Sequence, residues 1–133
     1  MSTAARFCSL AFVLIAFAAC AESSHDSAPV QPAELAAVLA REEAPLLLDV
    51  RTPEEFAAGH VPGATLVPVQ ELEARAAELA AYKERGVVAY CEVGGRASKA
   101  AEILRAAGFA NVRLLDGSMK RWREEQREVA TGS

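Results

Sequence analysis

The residues that offer the clearest chemistry lie in one short stretch, Cys91-Glu92-Val93-Gly94-Gly95-Arg96. The stretch follows Val87–Tyr90, an apolar run typical of a buried strand, and precedes a helix pattern at 97–107. A helix start presents unpaired N–H groups and a partial positive charge, which shift a thiol toward the nucleophilic thiolate. This context predicts a reactive Cys91. The alternative is a small buried side chain that ends a strand.

The other residues of the stretch also suit an anion. Gly94 and Gly95 permit backbone conformations that are closed to other residues, so successive N–H groups can turn toward a sulfur. Arg96 adds a permanent positive charge and a planar set of donors. We therefore expect a loop that can hold a sulfur anion, a persulfide or a tetrahedral oxyanion.

Composition excludes several other classes of protein. The chain has 133 residues and a formal net charge of −4, without a Lys/Arg cluster, so we predict no nucleic-acid binding. Its three cysteines, Cys8, Cys20 and Cys91, are too few for a disulfide scaffold. The histidines, His25 and His60, have no metal-ligand spacing with these cysteines. We predict neither a metal site nor a cofactor.

Helix and strand patterns alternate along the rest of the chain. This alternation predicts an α/β fold with a mostly parallel central sheet flanked by helices. Ligands of such sheets bind beyond the carboxyl ends of the strands, where Cys91 falls. The strand patterns lie at 46–50, 64–67, 87–90 and 112–115, and the helix patterns at 32–40, 53–58, 69–85, 97–107 and 117–127.

The N-terminus predicts export. Residues 1–20 carry one charge, Arg6, before a short apolar run, as in a secretory signal peptide. Small residues before Cys20 resemble the bacterial lipobox, so we expect Cys20 to be lipidated and the protein to face the periplasm as a membrane-anchored lipoprotein. The alternatives are an ordinary signal peptide that yields a soluble periplasmic or secreted protein, and a non-cleaved anchor. Because the domain is acidic, we expect membrane attachment only through the lipid.

Three spaced motifs resemble the rhodanese homology domain. The segments 47–56 and 59–64 are similar to its first signature, 91–98 to its active-site loop, and 116–122 to its C-terminal signature. We expect a flexible linker at 21–30 and a rhodanese-like domain at 31–130.

The resemblance implies a three-layer fold and a sulfurtransferase. In such an enzyme Cys91 attacks a sulfane sulfur, holds it as a persulfide and passes it to a thiol or cyanide. The backbone N–H groups of residues 92–96 would stabilise the sulfur anion. Arg51 would be a substrate-side arginine or, alternatively, a surface or ion-paired one. The residues expected to hold loops together by hydrogen bonds are Asp49, Glu55 and His60.

Two features of the loop refine this expectation. Related phosphatases and arsenate reductases of this fold enclose five residues between the cysteine and arginine, whereas Cys91 and Arg96 enclose four, which favours sulfur chemistry. Glu92 stands where many family members have Arg or Lys. If its carboxylate points inward it repels anions, and if it points outward it is solvated. We expect a monomer whose partners are a small sulfur donor and a small or protein acceptor. The alternative function is a persulfide carrier or a non-catalytic rhodanese-like module that binds a protein partner.

Overall fold

The computed structural model describes residues 27–133. The predicted signal peptide, Cys20 and most of the predicted linker lie outside these residues. Within residues 27–133 there is no helix long and apolar enough to cross a membrane.

A four-stranded sheet forms the centre of the domain. Its strands are β1 (Leu46–Asp49), β2 (Thr65–Leu66), β3 (Val87–Tyr90) and β4 (Val112–Leu114). The order across the sheet is β2-β1-β3-β4, and every pairing is parallel. All residues of β1 and β3 are buried, because helices cover both faces of these central strands.

Helices form the two outer layers. Successive strand residues face opposite sides of a sheet, and Leu46 and Leu48 accordingly pack in one core cluster while Leu47 packs in the other. The first cluster contains residues of the helices α3 (Val69–Arg75) and α4 (Gly95–Ala106), and the second contains residues of α1 (Leu35–Leu39) and α5 (Ser118–Glu124). This arrangement confirms the predicted α/β class. The helices are α1 (Leu35–Leu39), α2 (Pro53–Ala58), α3 (Val69–Arg75), α4 (Gly95–Ala106) and α5 (Ser118–Glu124), with a 3-10 helix at Ala76–Tyr82.

The single helix predicted at 69–85 is divided in the structure. The α-helical part ends at Arg75, and a 3-10 helix continues to Tyr82. Ala76 and Leu79 are the buried residues of this second part. A spacing of three residues lies on one face of a 3-10 helix, so burying both side chains favours that geometry.

Val30, the last residue of the range predicted as a linker, lies at the edge of the sheet. It is fully buried and forms a parallel bridge with Leu115. Its N–H donates to the Leu114 carbonyl at 2.8 Å, and its own carbonyl accepts from the Asp116 N–H at 2.9 Å. The packed domain therefore includes Val30, and the chain enters the domain beside the end of β4.

Candidate active site

Cys91 lies directly after β3, at the carboxyl edge of the sheet. Its side chain is 1% exposed, and its Sγ accepts a hydrogen bond from the Gly94 N–H at 3.0 Å. Gly94 has a φ of +123°, a conformation that favours glycine, and it caps the 12-residue helix α4. The Cys91 sulfur therefore lies at the start of a helix, where the sequence pattern predicted it. One of the expected N–H groups, that of Gly94, contacts it.

The backbone of the Cys91 loop is held by the start of α5. The N–H groups of Met119 and Lys120 donate to the carbonyls of Cys91 and Glu92 at 3.0 and 2.9 Å. The hydroxyl of Ser118, which is buried, accepts from the Cys91 N–H at 3.3 Å. Sequence reasoning assigned no role to these α5 residues, although they lie within the C-terminal motif at 116–122.

Arg51 is buried and ion-paired. Its Nη2 lies 2.7 Å from the Asp49 carboxylate and also donates to the Gly59 carbonyl at 2.7 Å. Its Nε donates to both Asp49 oxygens at 3.0 and 3.1 Å. Burial alone would lower the pKa of Arg51, but the hydrogen bond and charge of Asp49 outweigh it and raise that pKa. With 2% of its side chain exposed, Arg51 joins β1 to the end of α2.

Glu92 takes a position between the two that the sequence left open. Its side chain is 32% exposed, and one carboxylate oxygen lies 3.5 Å from Nη1 of Arg51. The other carboxylate oxygen contacts the guanidinium of Arg123, on α5. Sequence reasoning did not identify Arg123, because nothing in the local pattern links residues 31 positions apart. Glu92 thus joins two cations at the rim of the loop.

Arg96 crosses from the loop to α2. Its two terminal nitrogens contact the two Glu55 carboxylate oxygens at 2.6 and 2.9 Å. Glu55 also completes the capping box of α2 with Thr52. The hydrogen bond from Arg96 is the main cause that lowers the pKa of Glu55 to about 2. Arg96 therefore fixes the loop to α2 through the Glu55 carboxylate.

His60 also supports the structure. Its Nδ1 lies 2.9 Å from the Phe56 carbonyl, and its ring stacks on Phe56 with the centroids 3.6 Å apart. Its backbone pairs antiparallel with Ala130. These contacts hold the end of α2 against the C-terminal residues. They are made to Phe56 and Ala130 and do not include the Cys91 sulfur.

Two cavities flank the loop. One has a volume of about 250 Å³ and is lined in part by Arg51, Glu92 and Arg123, and we call it the charged cavity. The second has a volume of about 310 Å³ and includes Val93 and Gly94. Among residues 27–133 there is no group of three or more side chains placed to hold a metal ion. The charged cavity is lined by Arg51, Glu55, Ala58, Gly59, Glu92, Met119, Arg123 and Val129.

Comparisons with known proteins agree with this geometry. The chain is 33% identical over 92 residues to the human thiosulfate:glutathione sulfurtransferase, covering 60% of this chain and 80% of that protein. The solved structure of the human single-domain sulfurtransferase TSTD1 superposes with a TM-score of 0.63 at 35% identity, covering 73% of this chain and 96% of that one.

A third relative is the uncharacterised protein YqhL of Bacillus subtilis, which is 37% identical over 76 residues. That match covers 57% of this chain, and the chain spans only 59% of the length of YqhL. The family model of the rhodanese-like domain matches residues 31–125, which is most of the chain. The chain belongs to the rhodanese-like domain family.

Proposed function

We propose that this domain is a sulfurtransferase in which Cys91 carries the transferred sulfur. The observation that carries the proposal is the position of the Cys91 sulfur, which accepts the Gly94 N–H at the start of α4. Backbone donors at a helix start stabilise negative charge on a nearby sulfur. The family relationship, which includes a relative named as a sulfurtransferase, supports the same chemistry.

The reaction has two displacement steps. In the first, the Cys91 thiolate attacks the outer sulfur of a donor such as thiosulfate, the donor's S–S bond breaks, and sulfite leaves with the electron pair. Cys91 then holds a persulfide. In the second step a thiol or cyanide attacks the outer sulfur of that persulfide, and the Cys91 thiolate leaves. Backbone N–H groups of residues 92–96 stabilise the charge on the sulfur in both steps.

Cys91→Ser tests this function directly. Purified protein would be given thiosulfate, or separately an organic thiosulfonate, with cyanide, and thiocyanate would be measured. We expect thiocyanate from the natural protein and background levels from the variant. Intact mass after donor alone should show a species heavier by one sulfur atom, removed by reductant. Equal thiocyanate from both proteins with every donor would contradict the proposal.

The N-terminal address is a separate proposal. We propose that Cys20 carries a lipid and anchors the protein on the periplasmic side of a membrane, on the strength of the apolar run and small residues before it. Cys20→Ala should move the protein from the membrane fraction to the soluble fraction. A variant that stays with the membrane would contradict lipidation of Cys20.

A further inference from the structure

Three guanidinium groups lie near the Cys91 loop, and each is paired with a carboxylate. Arg51 and Arg123 line the charged cavity, and Glu92 lies between them in contact with both. The third guanidinium, that of Arg96, is paired with Glu55. Asp49, which pairs with Arg51, is the third carboxylate, so three carboxylates balance the three guanidinium groups. These six side chains therefore have no net positive charge to attract a small anion.

Glu92 contacts both guanidinium groups that line the charged cavity. A dianion that approached the Arg51–Arg123 edge would have to displace the Glu92 carboxylate or lie beside it. Either arrangement brings like charges together at a site that is partly shielded from water, where their repulsion is stronger than in bulk solvent. The repulsion grows with the charge of the incoming molecule.

The same rim offers apolar surface. Val93 and Val129 are the large hydrophobic residues with exposed side chains among residues 27–133, at 69% and 37% exposure. Val129 lines the charged cavity, and Val93 lines the second cavity on the other flank. The charged cavity, with a volume of about 250 Å³, has room for a small organic group. Apolar contact would favour an organic donor over an inorganic one.

We propose that Glu92 is a specificity-determining residue, and that the domain prefers organic sulfane-sulfur donors of low net negative charge to thiosulfate. This inference rests on the sulfurtransferase function proposed above. Arg51 and Arg123 position the Glu92 carboxylate at the rim, and the carboxylate selects among donors by charge repulsion.

Three donors with the same reacting bond test the inference. Thiosulfate is a dianion, methanethiosulfonate is a monoanion, and thiotaurine is a zwitterion without net charge. In each case Cys91 takes the outer sulfur, and sulfite or a sulfinate leaves with the electron pair. The kcat/KM for each donor would be measured with cyanide as acceptor at low ionic strength, because salt screens the repulsion.

Glu92→Gln removes the charge and keeps the shape. We expect kcat/KM to rise about tenfold for thiosulfate, about threefold for methanethiosulfonate and least for thiotaurine, because repulsion scales with donor charge. The change in KM should exceed the change in kcat. Glu73→Gln is the matched control, since it makes the same charge change on an exposed residue of α3, and it should leave the ratios of the three kcat/KM values unaltered.

The ratios among donors, rather than the absolute rates, decide the result. A partly misfolded variant would lower all three rates together and leave the ratios unchanged. Equal ratios in the natural protein and in Glu92→Gln would overturn the role of Glu92 while leaving the transferase intact. No Cys91-dependent transfer from any of the three donors would instead overturn the proposed function.

Discussion

On one flank of Cys91 the loop is held by charged side chains, and on the other it is held by backbone groups. The first flank is the network around Glu92, which reaches Arg51 on one side and Arg123 on the other. The second consists of the Gly94 N–H on the sulfur and the α5 N–H groups on the loop carbonyls. The backbone flank contacts the buried Cys91 sulfur and fixes the loop backbone, whereas the charged flank fixes the position of the Glu92 carboxylate.

The difference separates selection of the donor from handling of the sulfur. Backbone N–H groups carry no net charge and contact the sulfur or the loop itself, so they act on every donor alike. Side-chain charges act at a distance and depend on the charge of the incoming molecule. Substitutions on the charged flank should change which donor is used, whereas those on the backbone flank should change transfer from all of them.

The largest expected effect comes from the buried end of the charged flank. Arg51→Met should lower the free energy of unfolding by about 3–5 kcal/mol, because it leaves the buried Asp49 carboxylate without its partner. Arg123→Met is the matched control. Its side chain is half-exposed, so we expect a loss below about 1 kcal/mol. Urea unfolding of both variants measures the difference, and similar losses would refute a structural role for Arg51.

On the backbone flank, Gly94→Ala should lower transfer by about tenfold or more. Its φ of +123° strains any side-chain residue, at a cost of about 1–3 kcal/mol that loop movement would relieve by withdrawing the N–H from Cys91. Gly95→Ala is the control, because Gly95 lies in α4 without a positive φ and has open space around its Cβ position. Rates with thiosulfate and thiotaurine should fall by the same factor in Gly94→Ala. A change in their ratio would contradict the separation of the two flanks.

The Arg96–Glu55 pair should make stability depend on acid pH. The pKa of Glu55 is lowered from 4.5 to about 2, so its contribution is present above about pH 4.5 and is lost as the pH falls toward 2. Glu55→Gln should cost about 1 kcal/mol at neutral pH, through the weakened capping box and ion pair, and should approach the natural protein near pH 2. Thermal unfolding from pH 2 to 7 gives the comparison. A difference that stayed constant over this range would argue against the pair.

The smallest effect concerns donor choice. Arg123→Met leaves the Glu92 charge with one partner fewer, so kcat/KM for thiosulfate should fall about two- to fivefold, equivalent to at most ~1 kcal/mol. Thiotaurine should be affected less. Glu92→Gln should change thiosulfate use in the opposite direction, so the two variants together test whether the Glu92 charge selects the donor. A rise in thiosulfate use in Arg123→Met would contradict it.

Much of this fold was predictable from local sequence. The apolar runs at Leu46–Asp49 and Val87–Tyr90 are buried on both faces, and a short apolar run between turn signals indicates such a strand. The start of α2 was also readable, because Thr52 and Pro53 are typical of a cap and a first turn. The position of Cys91 at a helix start followed from the same local signals.

The ion pairs of the site could not be predicted in the same way. Whether Arg51 faces a substrate or Asp49 depends on which carboxylate reaches its guanidinium after folding, and residue types alone allow both. The contact between Glu92 and Arg123, and those of Ser118 with Cys91, join segments far apart in the chain. Such partners are set by how α5 packs beside β3, and no local periodicity carries that information. The 3-10 geometry at Ala76–Tyr82 likewise follows from packing.

The burial of Val30 has a consequence for where the sulfur is positioned in the cell. If Cys20 carries the proposed lipid, only residues 21–29 separate the bilayer surface from the sheet. Nine residues span at most about 30 Å when fully extended, which is no more than the thickness of a hydrocarbon core. Val30 bridges Leu115, and its carbonyl accepts from the Asp116 N–H. The short tether would therefore join the domain close to the Cys91 loop, and sulfur exchange would take place within about one domain's width of the membrane.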